Sequence, residues 1–468
     1  MFDLILHDVL LPETEDKAIR FMPVFVGDKP PFPLKNAEYK SGCVTFFKAR
    51  NTDEEDILLL GLGSKNNIKH INLRRAGGNA GRFLRDNGHS TAYLDPSFKA
   101  SAEEIFDIIA GLALGTYCYK SQKNGNKNTA INLHALRSFV CEGTAKHVRS
   151  LCDGVFLARN LVNMPPNELY PASFAGIISD IFTDTDVKVD IYKGDELVNE
   201  GFVGTIAVGG GSKNPPHYIK LTCVSDTTKP HLVLIGKGVT FDMGGMNVKT
   251  GADLSISRMD MGGAAAVAGA MRIIQKQGLR ANITALIPMA ENLPSGSAFL
   301  PGAVLRYPDG TSVEICNTDC EGRLILADAM LHARRLNADT IIDIATLTIV
   351  GLGDRRAGIW GDDDLCRILI DIGEQTGDRL WQIPLVEEYE EYLKSDTADI
   401  KNFAVGKEGG SILAALILKH FIGGEAKWAH IDCASVVAAG TSHGFTPIGA
   451  TGFGACMLAE FAYTYFAG

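Results

Sequence analysis

Beyond residue 170, the chain alternates between short apolar runs and longer segments whose apolar residues recur at helical spacing. The short runs have the length of buried strands, and the longer segments have the length of helices. The predicted strands are residues 187–192, 205–208, 218–224, 232–235, 283–289, 313–316, 341–344 and 429–432. The predicted helices are residues 172–181, 262–277, 323–336, 411–421 and 453–464. This alternation predicts an α/β fold with a mainly parallel sheet flanked by helices.

The first 145 residues predict a smaller α/β domain. Apolar runs at 44–47 and 57–63 indicate strands, 68–86 and 102–117 indicate helices, and the polar stretch 120–128 indicates an exposed loop. A helical pattern over 143–162 ends before Pro165 and Pro166, because proline cannot donate a helix hydrogen bond. We therefore predict an N-terminal domain over 1–145, a connecting helix over 146–163 and a larger C-terminal domain over 164–468.

Composition narrows the classes of function. The 468 residues carry a formal net charge of −10 without a basic stripe, which argues against nucleic-acid binding as the main role. The ten cysteines show no C-x-x-C pair or secreted disulfide spacing, and no N-terminal signal pattern is visible. The longest uncharged run, 433–459, is interrupted by Gly, Pro, Ser and His, so it is a poor membrane span. We expect a cytoplasmic protein without a membrane partner.

Charged residues concentrate in two stretches near junctions between predicted elements, where α/β enzymes usually place their chemistry. The stretch 316–324 contains Asp319, Glu321 and Arg323. The earlier stretch, 236–260, contributes four more candidates, namely Lys237, Asp242, Lys249 and Asp260. Because several Asp and Glu oxygens can share two divalent ions, we interpret these carboxylates from three separate junctions as the ligands of one two-metal hydrolytic centre.

A purely structural interpretation stands beside this one. Asp260 precedes a predicted helix and Asp is a favoured N-cap residue. Thr318 and Glu321 have the spacing of a capping box. Helix capping, however, gives no reason for an aspartate at position 319 or an arginine at position 323. In addition, clustered carboxylates without cations would repel one another.

The possible nitrogen ligands are few. The chain contains no H-E-x-x-H motif, and His430 lies within a predicted strand, where a structural role is expected. Lys237, between two glycines at a strand exit, could be a surface lysine or a ligand. As a ligand it would have to be the neutral amine, so nearby cations would have to lower its pKa.

The motifs resemble those of the leucyl (cytosol) aminopeptidase family. The most specific match is the eight-residue sequence Asn317-Thr318-Asp319-x-Glu321-Gly322-Arg323-Leu324. The other matches are Gly236-Lys237-Gly238-x-Thr240-Phe241-Asp242, Met261-Gly262-Gly263-Ala264-Ala265 after Asp260, Asn163-x-Pro165-Pro166-Asn167, Ala290-Glu291-Asn292-x-Pro294-Ser295-Gly296, Ala345-Thr346-Leu347-Thr348, Ser395-Asp396-x-Ala398-Asp399-x-Lys401-Asn402 and Trp428-Ala429-His430. The resemblance runs from about residue 155 to the C-terminus and is loose in the N-terminal domain.

The resemblance implies a ligand set for two divalent ions, which could be zinc, manganese or magnesium. Asp242 and Glu321 would bridge the ions, Asp319 would complete one site, and Lys237 and Asp260 would complete the other. A hydroxide between the ions would be the nucleophile, with its pKa lowered toward neutrality.

The resemblance also implies the remaining roles. Asp260 would bind the free α-amine of a peptide, and Lys249 would polarise the scissile carbonyl and stabilise the oxyanion. Arg323, with the backbone of Gly322 and Leu347, would hold a bicarbonate ion that acts as general base. The family further implies a homohexamer that releases N-terminal residues, chiefly aliphatic ones, from peptide substrates.

Three departures from the family pattern bear on specificity. Ser257 stands where relatives commonly have Met on the wall of the pocket for the first side chain, which Thr346 also lines by resemblance. Ile349 replaces a usual Gly and Cys320 a usual Ala. A smaller residue at 257 and a larger one at 349 would reshape the pocket that receives the first side chain.

Two rival functions stay open at this point. Bridged carboxylates alone also permit a two-metal phosphoesterase, whose phosphate Lys237, Lys249 and Arg323 could clamp. Nucleic-acid binding by the assembled particle is a possible side role, which a salt-dependent gel shift would reveal.

Overall fold

The computed structural model describes residues 2–8, 18–28, 38–49, 55–119, 130–251, 253–348 and 351–467. The predicted loop 120–128 lies outside these residues. The chain forms two compact units, one of Met1–Phe156 with Ala439–Thr451 and one of Leu157–Ala438 with Gly452–Gly468. Among the described helices, none is both long enough and apolar enough to span a membrane.

The first unit is built on a six-stranded sheet in the order β1-β6-β5-β2-β4-β3. Its strands are β1 Phe2–His7, β2 Ile19–Val24, β3 Val44–Phe47, β4 Ile57–Gly61, β5 Thr91–Leu94 and β6 Ile131–Leu136. All neighbouring strands are parallel except β3, which runs antiparallel to β4. Helices α1 His70–Asp86 and α2 Ala102–Gly115 pack against each other. A capping box between Ser101 and Glu104 fixes the start of α2.

Helix α3, Glu142–Asn163, is the predicted long helix, and the division between the two compact units falls within it. Residues 439–451 group with the first unit although they follow the second unit's last long strand in sequence. The sequence-predicted domain boundaries at 145 and 163 remain predictions.

The second unit contains most of the chain's secondary structure. Its strands are β7 Lys188–Lys193, β8 His217–Val224, β9 Leu232–Gly236, β10 Gly238–Asp242, β11 Asn282–Asn292, β12 Val304–Arg306, β13 Ser312–Glu314, β14 Thr340–Ala345, β15 Ala357–Gly361, β16 Leu380–Gln382, β17 Ile400–Lys401 and β18 Lys427–Asp432. Its helices are α4 Pro171–Phe182, α5 Asp195–Glu200, α6 Val203–Gly209, α7 Gly262–Gln277, α8 Gly322–Arg335, α9 Asp363–Thr376, α10 Gly410–Ile422 and α11 Ala455–Ala467. The second unit also has 3₁₀ helices at Ser255–Met259 and Glu387–Leu393. The remaining short elements of the chain are a 3₁₀ helix at Lys65–Asn67 and the two-residue strands β19 Ala438–Ala439 and β20 Gly449–Ala450.

A nine-stranded sheet forms the centre of the second unit, in the order β16-β15-β18-β14-β9-β11-β8-β7, with β10 also paired to β11. The strands β18, β14, β9, β11 and β10 are mutually parallel, whereas β15, β8 and β7 are antiparallel to their inner neighbours. Every residue of β9 and β14 is buried, as expected for strands covered on both faces. The predicted α/β fold with a mainly parallel, helix-flanked sheet is confirmed.

One predicted strand is wrong. Residues 205–208 belong to helix α6, although their β-branched residues favour a strand. The carboxylate of Asp328, on α8, accepts hydrogen bonds from the backbone N–H of Gly204 (3.1 Å) and of Thr205 (2.7 Å) and from the Thr205 hydroxyl (2.8 Å). A side chain more than a hundred residues away therefore caps this helix, which local sequence could not show.

The parallel strands bring their carboxyl ends to one edge of the sheet. Gly236 of β9 is opposite Ile344 of β14, and Ala345 of β14 is opposite Asp432 of β18. Helix α7 begins directly against this edge, since a Cβ on Gly263 would lie 2.0 Å from the carbonyl oxygen of Ile344. Only glycine permits this approach, which places the residues before α7 beside the strand ends.

Candidate active site

The predicted site residues gather at this carboxyl edge, where ligands bind in open α/β sheets. Lys237 follows β9 directly, Asp242 is the last residue of β10, and Thr346 follows β14. Asp260 directly follows the 3₁₀ helix Ser255–Met259, and Glu321 immediately precedes α8. The structure thus brings together residues spread over more than a hundred positions.

Lys237 lies at the centre of the site and its side chain is buried. Its Nζ is 2.8 Å from both carboxylate oxygens of Asp260 and 2.8 Å from Oε1 of Glu321. It also donates a hydrogen bond of 2.7 Å to the carbonyl oxygen of Thr346. Lys237 is therefore not a surface lysine.

The charge of Lys237 depends on its surroundings. Burial by itself lowers the pKa of this ammonium, but the carboxylates of Asp260, Glu321 and Asp242 outweigh burial and raise the pKa well above its usual range. Without metal ions, the lysine therefore supplies the positive charge that these carboxylates require.

Three carboxylates form a cluster suited to metal binding. Asp242, Asp319 and Glu321 each present one oxygen, and these oxygens lie within 4.8 Å of one another. Burial and the nearby Glu321 raise the pKa of Asp242, and burial and the nearby Asp242 raise the pKa of Asp319. Burial also raises the pKa of Asp260. The repulsion expected from the sequence is thus present in the folded protein.

Lys249 lies on the more open side of this cluster, with a side chain that is 33% exposed. Its Nζ is 2.9 Å from Oδ2 of Asp242 and also forms an ion pair with Asp319. An ammonium in this position faces the carboxylates and is still reachable from solvent, so it can meet an incoming substrate.

The structural interpretations of the acidic residues are wrong in their details. Helix α8 begins at Gly322, and Glu321, at its N-cap position, makes no capping hydrogen bond. The Thr318 hydroxyl donates to the carbonyl oxygen of Gly244 at 2.6 Å and does not cap α8. Helix α7 is preceded by Met261, while the carboxylate of Asp260 accepts a hydrogen bond from the Thr346 hydroxyl at 2.7 Å.

Arg323, in the first turn of α8, is buried with only 4% of its surface exposed. Its Nη1 donates to the carbonyl oxygen of Asn402 at 2.9 Å, whereas its Nε has no hydrogen-bond partner among the described residues. Gly322 lies beside Lys237 and Leu347, since a Cβ there would be 2.8 Å from Leu347 Cδ1. The arrangement leaves a guanidinium donor available to an anion.

These groups line one cavity of about 630 Å³. Of the site residues predicted from the sequence and described in the structure, all line this cavity except Gly322. Both chain neighbours of Gly322, Glu321 and Arg323, line it. Its less polar lining includes Ile256, Met259, Phe403, Leu413, Ala434, Val437 and Ala438. Ser257 is buried on the 3₁₀ helix that closes one side, and Cys320 also faces the cavity. Ile349 lies outside the described residues.

The donor set fits divalent cations. Oδ2 of Asp260, Oδ1 of Asp319 and Oε1 of Glu321 are buried and accept no hydrogen bond from the described residues, although each lies beside a lysine ammonium. In the metal-free chain these oxygens therefore depend on lysine ammonium groups for their compensating charge, and a divalent cation could take the place of those partners. Oxygen ligands at this density suit magnesium, manganese or zinc.

Three further residues support the site. Asn292 and Asn402 had been noted in the sequence only as parts of motifs, and Asp432 only as the end of a predicted strand. Asn292 donates to Oδ1 of Asp242 (2.8 Å) and to the carbonyl oxygen of Thr318 (2.9 Å). Asp432 accepts from the backbone N–H of Thr348 at 2.8 Å, and Asn402 contacts the 316–320 segment. Polar residues at strand ends were a visible signal, but their partners depend on the tertiary structure.

His430 is a structural residue, as expected. It is buried, and its Nδ1 is 2.6 Å from Oδ1 of Asp343. Burial lowers the pKa of this imidazole, but Asp343 more than offsets the effect and the pKa is raised.

A parallel-stranded α/β unit with clustered carboxylates, two lysines and an arginine at its carboxyl edge defines a metal-dependent hydrolase. The comparisons with known proteins specify its kind. Residues 156–459 match the catalytic domain of the cytosol aminopeptidase family, and residues 35–126 match the N-terminal domain of the same family. The chain belongs to the cytosol aminopeptidase family and is a metallo-aminopeptidase.

Similar sequences and structures agree with this assignment. A probable cytosol aminopeptidase of a Geobacter species is 37% identical over 420 residues, covering 87% of this chain and 85% of the relative. A probable cytosol aminopeptidase of Prochlorococcus marinus is 37% identical over 443 residues, covering 91% and 89%.

Two solved structures share the whole architecture. The bottromycin maturation enzyme BotP in complex with Mn has a TM-score of 0.88 at 29% identity, covering 96% of this chain and 99% of that one. The cytosol aminopeptidase from Coxiella burnetii has a TM-score of 0.84 at 27% identity, covering 98% of each chain. The family acts on peptides and depends on two metal ions, so this protein catalyses metal-dependent hydrolysis of N-terminal peptide bonds.

Proposed function

We propose that this aminopeptidase removes N-terminal, mainly aliphatic residues from peptides at the cavity described above. The observation that carries the proposal is the convergence of Asp242, Asp319 and Glu321, whose carboxylate oxygens lie within 4.8 Å of one another beside Lys237. Convergence of these groups from separate junctions has no use in capping, because none of the three caps the helix that follows it.

Five residues would hold two divalent ions, which could be zinc, manganese or magnesium. Asp242 and Glu321 would be shared between the ions, Asp319 would serve one of them, and Lys237 and Asp260 would serve the other. Lys237 would have to give up a proton to become a ligand, so binding of the ions should release protons. When bound, the two ions would supply a hydroxide nucleophile at neutral pH and polarise the peptide carbonyl.

The chain's own charged groups would orient the peptide. Asp260 would accept hydrogen bonds from the free α-ammonium group of the substrate, which explains cleavage restricted to the first residue. Lys249 is the lysine that solvent can reach, so its ammonium would contact the scissile carbonyl oxygen and stabilise the negative charge that develops there. Its present ion pairs with Asp242 and Asp319 hold it at this side of the cavity.

Arg323 would bind a bicarbonate ion. Its Nε is buried without a hydrogen-bond partner among the described residues, and Gly322 and Leu347 lie close by. The backbone N–H of Leu347 donates to Oδ1 of Asp432 at 3.2 Å, so it would have to leave this partner to bind the anion. A guanidinium presents donors in a plane, which suits a small planar anion. The bicarbonate would supply the general base, a task for which no histidine is placed in the lining of the cavity among the described residues.

The less polar part of the cavity would receive the first side chain. Met259, Ala434 and Val437 supply apolar surface, and Thr346 and Ser257 complete the lining. An apolar pocket with a small residue at 257 favours aliphatic side chains, with room beyond the size that a methionine at this position would allow.

We further propose that the protein acts in the cytoplasm as a homohexamer. Support comes from the family resemblance and from the cytosol aminopeptidases to which the chain is similar. Light scattering of the purified protein should give a mass near six times that of one chain, and a stable monomer or dimer would contradict the assembly.

The activity is tested with a panel of aminoacyl amides after chelation and re-addition of Zn²⁺, Mn²⁺ or Mg²⁺. Leucine, alanine, phenylalanine and lysine amides report the first-residue preference, and N-acetyl-leucine amide is the matched control with its α-amine blocked. We expect metal-dependent cleavage of the free amides, with the aliphatic ones fastest, and no cleavage of the acetylated one. Equal cleavage of both leucine compounds would contradict the role of Asp260.

The alternative interpretation as a two-metal phosphoesterase is not favoured by the family assignment. It also fits the geometry less well, because Asp260 in the cavity would repel a phosphate. Release of inorganic phosphate from simple esters, with no cleavage of leucine p-nitroanilide, would reverse this order.

A further inference from the structure

Asn402 follows β17 directly, and no part of it is exposed to solvent. It does not line the cavity, and neither the motif comparison nor the proposed function gives it a role. Its surroundings are the residues Cys316 to Glu321, which we call the 316–321 loop. This loop carries the proposed metal ligands Asp319 and Glu321 and lies between β13 and α8.

Both polar atoms of the Asn402 side-chain amide form hydrogen bonds with the 316–321 loop. Its Oδ1 accepts from the backbone N–H groups of Cys316 (2.8 Å) and Asn317 (3.2 Å). Its Nδ2 donates to the carbonyl oxygens of Asn317 (2.7 Å) and Cys320 (3.3 Å). A neutral amide offers two donors and an oxygen acceptor, so no other side chain of this size can replace it.

The Asn402 backbone makes two further connections. Its N–H donates to the carbonyl oxygen of Glu314, the last residue of β13, at 2.9 Å. Its carbonyl oxygen accepts from Nη1 of Arg323 at 2.9 Å. One buried residue therefore joins the start of the loop, its far end and the guanidinium proposed to hold the anion.

These contacts bear directly on the two ligands. Cys320, whose carbonyl oxygen Asn402 holds, separates Asp319 from Glu321 in the chain. Asn317, held on both its N–H and its carbonyl oxygen, accepts a hydrogen bond from the backbone N–H of Asp319 at 2.8 Å through its own side chain. The loop has no strand or helix pairing of its own to fix these positions. Its shape depends on such side-chain contacts.

We propose that Asn402 is the positioning residue that sets the spacing of Asp319 and Glu321 for metal binding. This proposal rests on the proposed function of the cavity. Asn402 would act through the two ligands, without contacting metal or substrate. Outer hydrogen bonds that orient metal ligands typically contribute 10–100-fold to metal affinity or activity, and we expect an effect of about this size.

The test compares Asn402→Asp and Asn402→Ser with the wild type. Asn402→Asp keeps the shape and the two accepted hydrogen bonds but loses both donors, whereas Asn402→Ser removes most of the amide. The matched control is Asn282→Asp, because the Asn282 amide donates to the carbonyl oxygen of Lys229 at 3.2 Å and is not part of the cavity lining.

Metal affinity is measured by calorimetric titration of the chelated proteins with Mn²⁺, which needs no turnover. We expect about 10–100-fold weaker Mn²⁺ binding in both Asn402 variants and a change of less than about twofold in the control. With leucine p-nitroanilide, kcat should fall more than KM rises, and excess Mn²⁺ should restore part of the activity of Asn402→Asp.

The other outcomes decide against the proposal. Folded Asn402→Asp that binds Mn²⁺ as tightly as the wild type overturns it. Loss of the wild-type circular dichroism spectrum in both Asn402 variants also overturns it, because Asn402 would then serve folding of the whole unit. A wild type that binds Mn²⁺ but cleaves no aminoacyl amide would refute the proposed function alone, and the affinity comparison would still decide the role of Asn402.

Discussion

Glu321 shows how one residue can satisfy two interpretations in the sequence and only one in the structure. Its spacing from Thr318 fits a capping box, and its place in the eight-residue motif fits a metal ligand. In the folded chain its carboxylate lies 2.8 Å from Lys237 Nζ, while Thr318 binds the backbone of Gly244. The capping interpretation fails because α8 begins one residue after Glu321.

Replacing Glu321 by glutamine tests its role as a shared ligand. The amide keeps the size of the side chain but loses the charge that two ions would share, so we expect aminopeptidase activity to fall at least about 100-fold. Lys237 keeps Asp260 and Thr346 as partners, so the melting temperature of the metal-free protein should change little. Turnover equal to that of the wild type would remove Glu321 from the ligand set.

Replacing Ser257 by methionine tests the pocket for the first side chain. Ser257 is buried in the cavity lining, and the longer side chain would fill space beside Met259. We expect the ratio of kcat/KM for leucine amide over alanine amide to fall about tenfold, since one methylene is worth about 10–200-fold in such pockets. Val198→Met, at a position 64% exposed, is the control. An unchanged ratio would place the first side chain elsewhere.

At the scale of elements, long periodic segments were predictable and short ones were not. Helix α7 has the predicted bounds, because Ala-rich periodic sequence and Gly278 at its C-cap are local signals. Helix α6 was predicted as a strand, because the cap that starts it comes from Asp328 on α8. Strand β10 and helix α9 were not predicted at all, and β10 is set by its pairing with β11.

The packing of α8 on β8 gives a pH-dependent contribution to stability. His332 of α8 is buried among the rings of Phe202 and Tyr218, and its Nδ1 is 3.1 Å from the Tyr218 hydroxyl. Burial, with Arg335 and Lys220 nearby, lowers the pKa of this imidazole to about 3.

The sign of the effect follows from the two pKa values. Above about pH 6.5, His332 is neutral in both the folded and the unfolded protein. Between about pH 6.5 and pH 3 the imidazole is protonated in the unfolded chain but still neutral in the folded protein. The free energy of unfolding is therefore unaffected by protonation of His332 above about pH 6.5, and protonation of the unfolded chain lowers it as the pH drops toward about 3. In His332→Gln the free energy of unfolding should fall less steeply there, by up to about 1.4 kcal/mol per pH unit. Urea titrations at several pH values measure the free energy of unfolding of both proteins. The same pH dependence in the wild type and in His332→Gln would contradict this prediction.

At the scale of the whole molecule, the two compact units differ in their relation to chemistry. All the proposed metal ligands lie in the second unit, between residues 237 and 321. The sequence of the first unit contains no pattern of residues typical of a catalytic or binding site, and its described residues contain no cluster of three or more His, Cys, Asp or Glu side chains that could hold a metal ion. The first unit matches the family's N-terminal domain, and the sequence does not assign it a function.

Metal binding should stabilise the protein measurably. Ions that bind only the folded state add about 2.7 kcal/mol per site at a hundredfold excess over Kd. They would also bind the buried oxygens of Asp260, Asp319 and Glu321, which pair with lysine ammonium groups in the metal-free chain. We expect chelation to lower the melting temperature by several degrees and re-addition of Mn²⁺ to restore it, with Glu321→Gln responding less. A melting temperature independent of metal in the wild type would contradict the proposed ligand set.

The sequence by itself determined the α/β class, the long helices, the family and the identity of the charged groups, because each rests on periodicity or on motifs that are continuous in the chain. The tertiary structure decided which of those groups meet, since parallel strands bring Lys237, Asp242 and Thr346 to one edge from distant positions. It also decided the partners of Asn292, Asn402 and Asp328, whose hydrogen bonds span 26 to 124 residues. No local pattern encodes contacts at such separations, because the intervening chain must fold before the groups can meet.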